Sequence, residues 1–122
     1  MLSLTSAVRL FLWTAPVDMR KGFDGLQALV RAADMDVFSG NLFVFVSRRA
    51  DRAKILTWER GGFVLWYKRL SKGTFGVRRA SCGTPSVEVL DPGQLAMLLD
   101  GVDYKRVRRS KRWEPKTTKV AA

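Results

Sequence analysis

The side chains of this chain that can do chemistry are mostly cations, and they are densest near the C-terminus. Residues 104–113 carry six Lys or Arg and no carboxylate, with an aromatic residue at each end. Segment 101–122 contributes +6 to the formal charge of +11, and residues 1–100 contribute the other +5. Such a field attracts polyanions, so the charge predicts a nucleic-acid partner, with a solubilising extension as the alternative for the tail. The tail cations assigned to this contact are Arg106, Arg108, Arg109, Lys111 and Arg112.

A second cationic site is predicted where residues 16–25 lead into a helix. Asp18 is the candidate N-cap, and Arg20 and Lys21 would then stand in the first turn, against the positive end of the helix dipole. Such a local conflict is typical of functional sites, and free helix amides beside two cations suit a phosphate. The alternative is structural: Arg20 pairs with Asp24 four residues later, and Lys21 is solvated.

A third cationic cluster is predicted beside a hairpin. Gly61-Gly62 lies between two β-rich segments and predicts a tight turn. With that turn Leu56 faces Tyr67, Trp58 faces Leu65, and Lys54 faces Arg69. Like charges that face each other are destabilising, which a bound polyanion would explain; a solvated loop is the alternative. The cations concerned are Arg48, Arg49, Arg52 and Lys54 in and after one turn, and Lys68, Arg69 and Lys72 at the end of the hairpin.

One aromatic side chain is a candidate for stacking on bases. The hairpin face that carries Trp58 and Tyr67 is expected to form the core, and the face that carries Ile55 and Trp66 is expected to be partly exposed. Exposed rings beside cations bind single strands by stacking. Trp66 is therefore the candidate, with packing in the core as the alternative.

No catalytic or metal-binding residue is predicted. The chain has no histidine, and its single thiol, Cys82, has no evident catalytic partner. Zinc and haem sites are close to excluded. Asp18 with Asp24, or Asp51 with Glu59, could hold Mg²⁺ for phosphodiester cleavage, and this nuclease is an alternative. Capping, ion pairing and turn chemistry already explain these carboxylates, so we predict a non-enzymatic protein without a cofactor.

The elements that must position these side chains make up one domain over residues 1–103, followed by a basic flexible tail over 104–122. The fold class is α+β: a mainly antiparallel sheet of four to five strands with one packed helix, a second short C-terminal helix and a basic disordered tail. Strand 42–47 is apolar on both faces and is expected to be central. Glycines at 22 and 25 suggest a close approach of the first helix backbone to a neighbouring strand or a ligand. The elements are strands over 9–14, 42–47, 53–60, 63–70 and 87–89, a helix over 19–32, and a helix opened by Asp91-Pro92 and ended by Gly101.

The environment is predicted from the apolar runs and the cysteine count. The longest apolar runs, such as 10–13, are far below the roughly 18 residues that cross a bilayer. Arg9 interrupts any signal peptide, and one cysteine suits a reducing compartment. A cytoplasmic protein with no membrane contact is expected.

Five segments in fixed order resemble one known family, the small TnpB accessory proteins of IS-sixty-six-type bacterial insertion sequences. These proteins are unrelated to the RNA-guided nuclease of the same name. The resemblance covers about residues 9 to 104, and it implies a protein encoded beside a DDE-type transposase and needed for efficient transposition. It implies no catalytic residue. The segments are PVDMRKGFDGL (16–26), FSGNLFVF (38–45), RRADRAKILTW (48–58), GFVLWYKRL (62–70) and QLAMLLDG (94–101).

Charge and resemblance together predict a non-catalytic accessory protein of transposition. Its expected partners are DNA, at element ends or in transposition intermediates, and the transposase of the same element. It is expected in the bacterial cytoplasm, associated with the nucleoid, and oligomerisation is left open. The alternatives are an adaptor that bridges transposase subunits with Trp66 and Phe38 as anchors, the nuclease above, and a toxin-like RNA binder.

Overall fold

The computed structural model describes residues 8–79 and 86–102, which form five strands and two helices. The elements are β1 (Leu10–Trp13), α1 (Phe23–Ala32), β2 (Leu42–Val46), β3 (Arg52–Glu59), β4 (Gly62–Arg69), β5 (Val87–Leu90) and α2 (Pro92–Leu99). The strands make one sheet in the order β4-β3-β2-β1-β5. β1 and β2 are parallel, and the other three neighbouring pairs are antiparallel. The predicted α+β class, the central β2 and the edge strand β5 are confirmed.

Both faces of the sheet are covered, which corrects one expectation. On one face α1 packs Leu26 and Val30 against Phe43 and Phe45 of β2. On the other face α2 and residues around Phe75 cover the sheet. Positions expected to be partly exposed on that face are fully buried in β3, because these elements lie on them. They are Ile55 and Thr57.

The hairpin register differs from the predicted one. The turn residues are Arg60 (φ +50°) and Gly61 (φ +82°), and Gly62 already pairs with Glu59 in the ladder. Moving the turn back by one residue changes every partner. Leu56 faces Leu65, Trp58 faces Phe63, Lys54 faces Tyr67 and Arg52 faces Arg69.

Tyr67 was expected to be a core residue, and the structure shows that it is not. It lies near the end of β4, on an outer strand of the sheet, and is 50% exposed. Leu65, which takes the place predicted for Tyr67 opposite Leu56, is half-buried and packs against the cluster beneath α1.

α1 begins four residues later than predicted. Gly22 is its N-cap, without a side-chain cap, and the carboxylate of Asp18 accepts a hydrogen bond from the Arg20 N–H instead (2.9 Å). A separate turn, closed by Lys21 N–H to Asp18 O (3.1 Å), precedes the helix. Arg20 and Lys21 thus lie before α1 and not in its first turn.

The glycines of this region do not meet neighbouring backbone. A Cβ at Gly22 would meet nothing within 4 Å, and one at Gly25 would lie 3.1 Å from Cβ and Cγ of Lys21. The predicted approach of a neighbouring strand is wrong, because the nearest neighbour of Gly25 is a flexible side chain. The approach of a ligand stays a prediction.

α2 has the predicted caps. The Asp91 carboxylate accepts from the Gln94 N–H (2.8 Å), and the Gln94 side chain accepts from the Asp91 N–H (3.0 Å). Gly101 takes φ +83°, and Val102 N–H donates back to Met97 O (2.8 Å). This is the hydrogen-bond pattern of a glycine-terminated helix. Among the described residues no helix has the length and apolarity to span a bilayer.

Candidate functional site

Two loops meet at one end of the strands and enclose a cavity. Because β1 and β2 are parallel, their carboxyl ends lie at the same end of the sheet. Open sheets with helical crossovers bind ligands at this end of their strands. The chain leaves β1 through residues 14–22 and leaves β2 through the turn 47–51. The cavity between them has a volume of about 880 Å³.

The cavity brings together two of the cationic clusters predicted from the sequence. Its lining includes five cations and two carboxylates, a formal +3. Two of the cations come from the first loop and three from the second turn, about 30 residues apart in the sequence. These charged lining residues are Arg20, Lys21, Arg48, Arg49, Arg52, Asp18 and Asp51.

Both carboxylates already have partners. The Arg20 guanidinium donates to Asp18 with Nη2 2.8 Å from Oδ2, in a pair that is solvent-exposed on both sides. Hydrogen bonds from the Arg20 side chain and backbone lower the pKa of Asp18 to about 2. Asp51 accepts from the Ser47 hydroxyl (3.2 Å). In the part of the chain that the structure describes, the Asp18–Arg20 pair is the only salt bridge.

The turn that carries Arg48 and Arg49 is closed by Ser47. Its Oγ accepts from Arg52 N–H (3.1 Å), and its carbonyl accepts from Ala50 N–H (2.9 Å). Ala50 has φ +59°, which reverses the chain direction. Arg48 and Arg49 are consequently exposed at the tip of the turn, beside the cavity.

Arg79 joins the two walls of the cavity. Its guanidinium donates to Thr14 O (3.3 Å) at the end of β1, and to Ser47 O and Arg48 O (3.4 Å) in the turn. Burial, with a contribution from the nearby Arg48 charge, lowers the pKa of Arg79. Charge was the only sequence signal for this residue, and its role in joining the loops was not predicted.

Lys54 binds the main chain of the first loop, residues 14–22, from its position in β3. It is buried, and its Nζ donates to Met19 O and Lys21 O, both at 2.9 Å. The same nitrogen lies 4.9 Å from the centre of the Tyr67 ring. The structure thus contradicts the expectation that Lys54 faces Arg69, and its burial leaves it no surface for a phosphate.

The predicted site residues at the end of the hairpin lie on different faces of the sheet. Arg69 is directly opposite Arg52 and lies on the same face, so it extends the cationic surface of the cavity. Lys68 is opposite Ala53, on the other face. Trp66 is half-buried on that other face, packed against the cluster beneath α2. The predicted pair of facing cations exists, but between Arg52 and Arg69.

The carboxylates proposed for a magnesium site are separated. Asp51 precedes β3 and Glu59 ends it, so they flank opposite ends of an eight-residue strand. Asp24 is in the first turn of α1, and Asp18 is paired with Arg20. Within the described ranges, no three His, Cys, Asp or Glu side chains come together to hold a metal.

A cluster of aromatic rings lies at the other end of β3 and β4, near the hairpin turn that carries the exposed Arg60. Phe38, which is 54% exposed, lies 5.0 Å from Trp58 and 5.6 Å from Phe63 between ring centres. Phe38 and Trp66, the two anchors of the adaptor hypothesis, do not share this cluster. The tail cations and the predicted disordered tail lie outside the described residues.

Fold and site together define a small basic α+β protein with a cationic cavity beyond the carboxyl ends of β1 and β2. Residues 8–109 match the family described as IS66 Orf2 like protein. The chain therefore belongs to this family of insertion-sequence accessory proteins, as its segments had indicated.

Two relatives come from Sinorhizobium fredii (strain NBRC 101917 / NGR234). Uncharacterized protein y4jC is 34% identical over 99% of this chain and 100% of its own length. Uncharacterized protein y4hO is 34% identical over 93% of each chain. No solved structure matches the chain significantly.

Proposed function

We propose that the protein binds the sugar-phosphate backbone of DNA at the cationic cavity. As a non-catalytic accessory factor, it assists the DDE transposase of the same insertion sequence. The observation that carries the proposal is the convergence of cations from two separate loops in one cavity. The insertion-sequence family supplies the biological setting.

The pairing of the charges supports a polyanion as the ligand. Among the described residues, Arg20 is the only cation of the cavity in a salt bridge, so four lining cations have no anionic partner there. Arg69 adds a fifth opposite Arg52. Cations held this close repel each other, and a row of phosphates removes that repulsion while releasing counterions. The four unpaired lining cations are Lys21, Arg48, Arg49 and Arg52.

The framework of the site suits a ligand that binds without large rearrangement. Lys54 and Arg79 hold the two loops through main-chain carbonyls, so the exposed cations are placed before any ligand arrives. Preorganisation of this kind reduces the entropy cost of binding. The tail cations Arg106, Arg108, Arg109, Lys111 and Arg112 would add a sequence-independent electrostatic contribution.

The test compares two charge-matched double variants in full-length protein. Arg48→Gln with Arg49→Gln removes two cations at the cavity, and Arg9→Gln with Arg31→Gln removes two exposed cations that do not line it. By fluorescence anisotropy with element-end duplex, random duplex and single strand, the first pair should weaken binding about tenfold. The control pair should weaken it less than about threefold. Equal losses for both pairs would mean that bulk charge, and not the cavity, binds DNA.

The non-catalytic part of the proposal has its own test. Labelled element-end DNA incubated with the protein and Mg²⁺ or Mn²⁺ should remain intact. Reproducible cleavage that Asp24→Ala abolishes would replace the accessory function with a nuclease.

The adaptor is a second candidate, favoured by the exposed ring of Phe38 beside Trp58 and Phe63. Aromatic anchors of this kind dominate protein interfaces. If the adaptor function is correct, purified transposase is retained by the protein after nuclease treatment, and Phe38→Ser abolishes the retention. Retention that nuclease treatment removes would instead indicate that DNA bridges the two proteins.

A further inference from the structure

No described residue pairs with the outer side of β4, which is an edge of the sheet. β4 has eight residues and stands at the end of the strand order. Leu70 N–H donates to Asp51 O (2.8 Å), which sets the alternation of hydrogen-bonding groups along the pair. Even-numbered residues of β4 therefore bond to β3, and odd-numbered residues direct their N–H and C=O outward. None of the described residues pairs with these outward groups.

The central part of this edge, residues 63–67, lacks the features that normally prevent strand pairing, and the cations Lys68 and Arg69 lie only at its end. Edge strands are usually short, bulged, or interrupted by proline or charge. β5, at the other edge, has four residues. The central residues 63–67 of β4 read FVLWY, with no charge and no proline, and Val64 and Tyr67 are 38% and 50% exposed.

We propose that β4 pairs with β4 of a second copy of this chain, antiparallel about a two-fold axis at Leu65. The two sheets of five strands then become one sheet of ten, with about six new main-chain hydrogen bonds from the outward groups of Phe63, Leu65 and Tyr67. The proposed dimer does not use the lining of the cavity, and only Arg69, at the end of β4, lies near both surfaces.

The side chains select this register. With Leu65 on the axis, Phe63 faces Tyr67 of the second copy, and Val64 faces its Trp66, so apolar residues meet on both faces. Cross-strand aromatic and β-branched pairs of this kind stabilise sheets. The exposed ring of Tyr67 becomes covered.

The neighbouring registers are worse on the same criteria. A shift by one step in one direction sets Phe63 against Arg69 and Val64 against Lys68. A shift in the other direction sets Trp66 against Gly62 and Lys68 against Arg60. The first shift sets two cations against apolar residues, and the second sets two cations against each other. The register centred on Leu65 sets only the turn residue Arg60 against an apolar residue, Leu70.

Charge complementarity also favours the two-fold pairing. Lys68 falls opposite Gly62 of the second copy, whose ladder partner is Glu59 on the same face. No side chain at Gly62 separates them, and two strand spacings are about 9.6 Å, a span that Lys and Glu side chains reach together. Neither Lys68 nor Glu59 has an ion pair among the described residues. The symmetry repeats the contact, which gives two intermolecular pairs.

A charge-swap series tests the pairing by sedimentation velocity over a range of protein concentrations, without nucleic acid. Wild-type protein should dimerise, and Lys68→Glu or Glu59→Lys should each weaken the dimer about tenfold, since like charges then meet twice. The double variant should recover to within about threefold of wild type, and Lys72→Glu, with the same charge change outside β4, should have little effect. A monomer at every concentration, or a double variant as weak as the singles, would overturn the pairing.

A cross-link tests the register in a Cys82→Ser background. Two residues in a hydrogen-bonded antiparallel pair have Cα atoms about 5.5 Å apart, within disulfide range. Leu65→Cys should form a disulfide-linked dimer on mild oxidation, and Val89→Cys, exposed on the other edge strand, should not. Equal cross-linking at both positions, or cross-linking at Val89 alone, contradicts the proposal.

Discussion

The cavity has two regions whose cations differ in burial. In its framework, Lys54 and Arg79 direct their charged groups at main-chain carbonyls and hold the loops. At its rim, Arg48 and Arg49 are exposed at the tip of a turn. All four are cations in basic segments of the sequence. The comparison shows that burial, and not the charge density along the sequence, separates the two structural cations from the two for which DNA binding is proposed.

The largest effect that would test this comparison is on stability. Lys54→Met keeps the length of the side chain but leaves the carbonyls of Met19 and Lys21 without their donor. We expect a loss of about 2–3 kcal/mol in the free energy of unfolding, measured by urea denaturation. Lys72→Met, an exposed residue that follows β4 and lies outside the proposed dimer contact, is the control and should change stability by less than about 0.5 kcal/mol. Equal effects would place Lys54 at the surface.

Arg79→Gln should destabilise less, because its group is only partly buried and its partners are near solvent. A loss of about 1–2 kcal/mol is expected from the hydrogen bonds to Thr14 O and the turn carbonyls. Hydrogen exchange should increase in the turn 47–51 and not in α2. Unchanged exchange in the turn would show that Arg79 does not join the loops.

At the rim the effect should fall on binding alone. Arg48→Gln with Arg49→Gln should make the slope of log affinity against log salt less steep by about 2, since about two phosphates lose their cations. The unfolding midpoint in urea should stay within error of wild type. A large loss of stability in this variant would assign the two residues to the framework.

The smallest effect concerns the exposed pair of Asp18 and Arg20. The pKa of Asp18 is lowered to about 2, chiefly by the hydrogen bonds from Arg20. Because the folded-state pKa is depressed, the contribution of this pair to stability is present above the usual carboxyl pKa and is lost as the pH falls toward 2. NMR titration of the Asp18 carboxyl carbon should show this, and Arg20→Gln should raise the pKa toward its usual value. A titration that Arg20→Gln does not move would show that the pair is absent in solution.

Much of the fold could be predicted because its signals are local. Asp91-Pro92 and Gly101 mark the two ends of α2 through bonds made within a few residues. The apolar run of β2 predicted a central strand, since a strand with neighbours on both sides and covered faces tolerates no polar position.

The errors in the hairpin register and in the start of α1 arose where the sequence allows two local structures. Arg60-Gly61 and Gly61-Gly62 are both acceptable turns, and packing of Leu65 and Phe63 beneath α1 selects the first. Asp18 was an acceptable cap for a helix, but its carboxylate is used by Arg20, so α1 begins at Phe23.

The candidate site was predicted in parts. The cations of residues 16–25 and of the turn after β2 were both recognised, but nothing in the sequence indicated that they share a cavity. That depends on the parallel pairing of β1 with β2, a contact between residues about 30 positions apart.

The amino-acid sequence alone determined the excess of positive charge, the kinds of element and their order, and the family, because each of these depends on composition or on neighbours along the chain. Tertiary structure alone decided which cations meet, which are buried, and which strand edge has no partner among the described residues. The physical reason is that burial and proximity arise from packing between distant segments, and a side chain such as Lys54 changes from a solvated charge into a structural donor only when that packing removes its water.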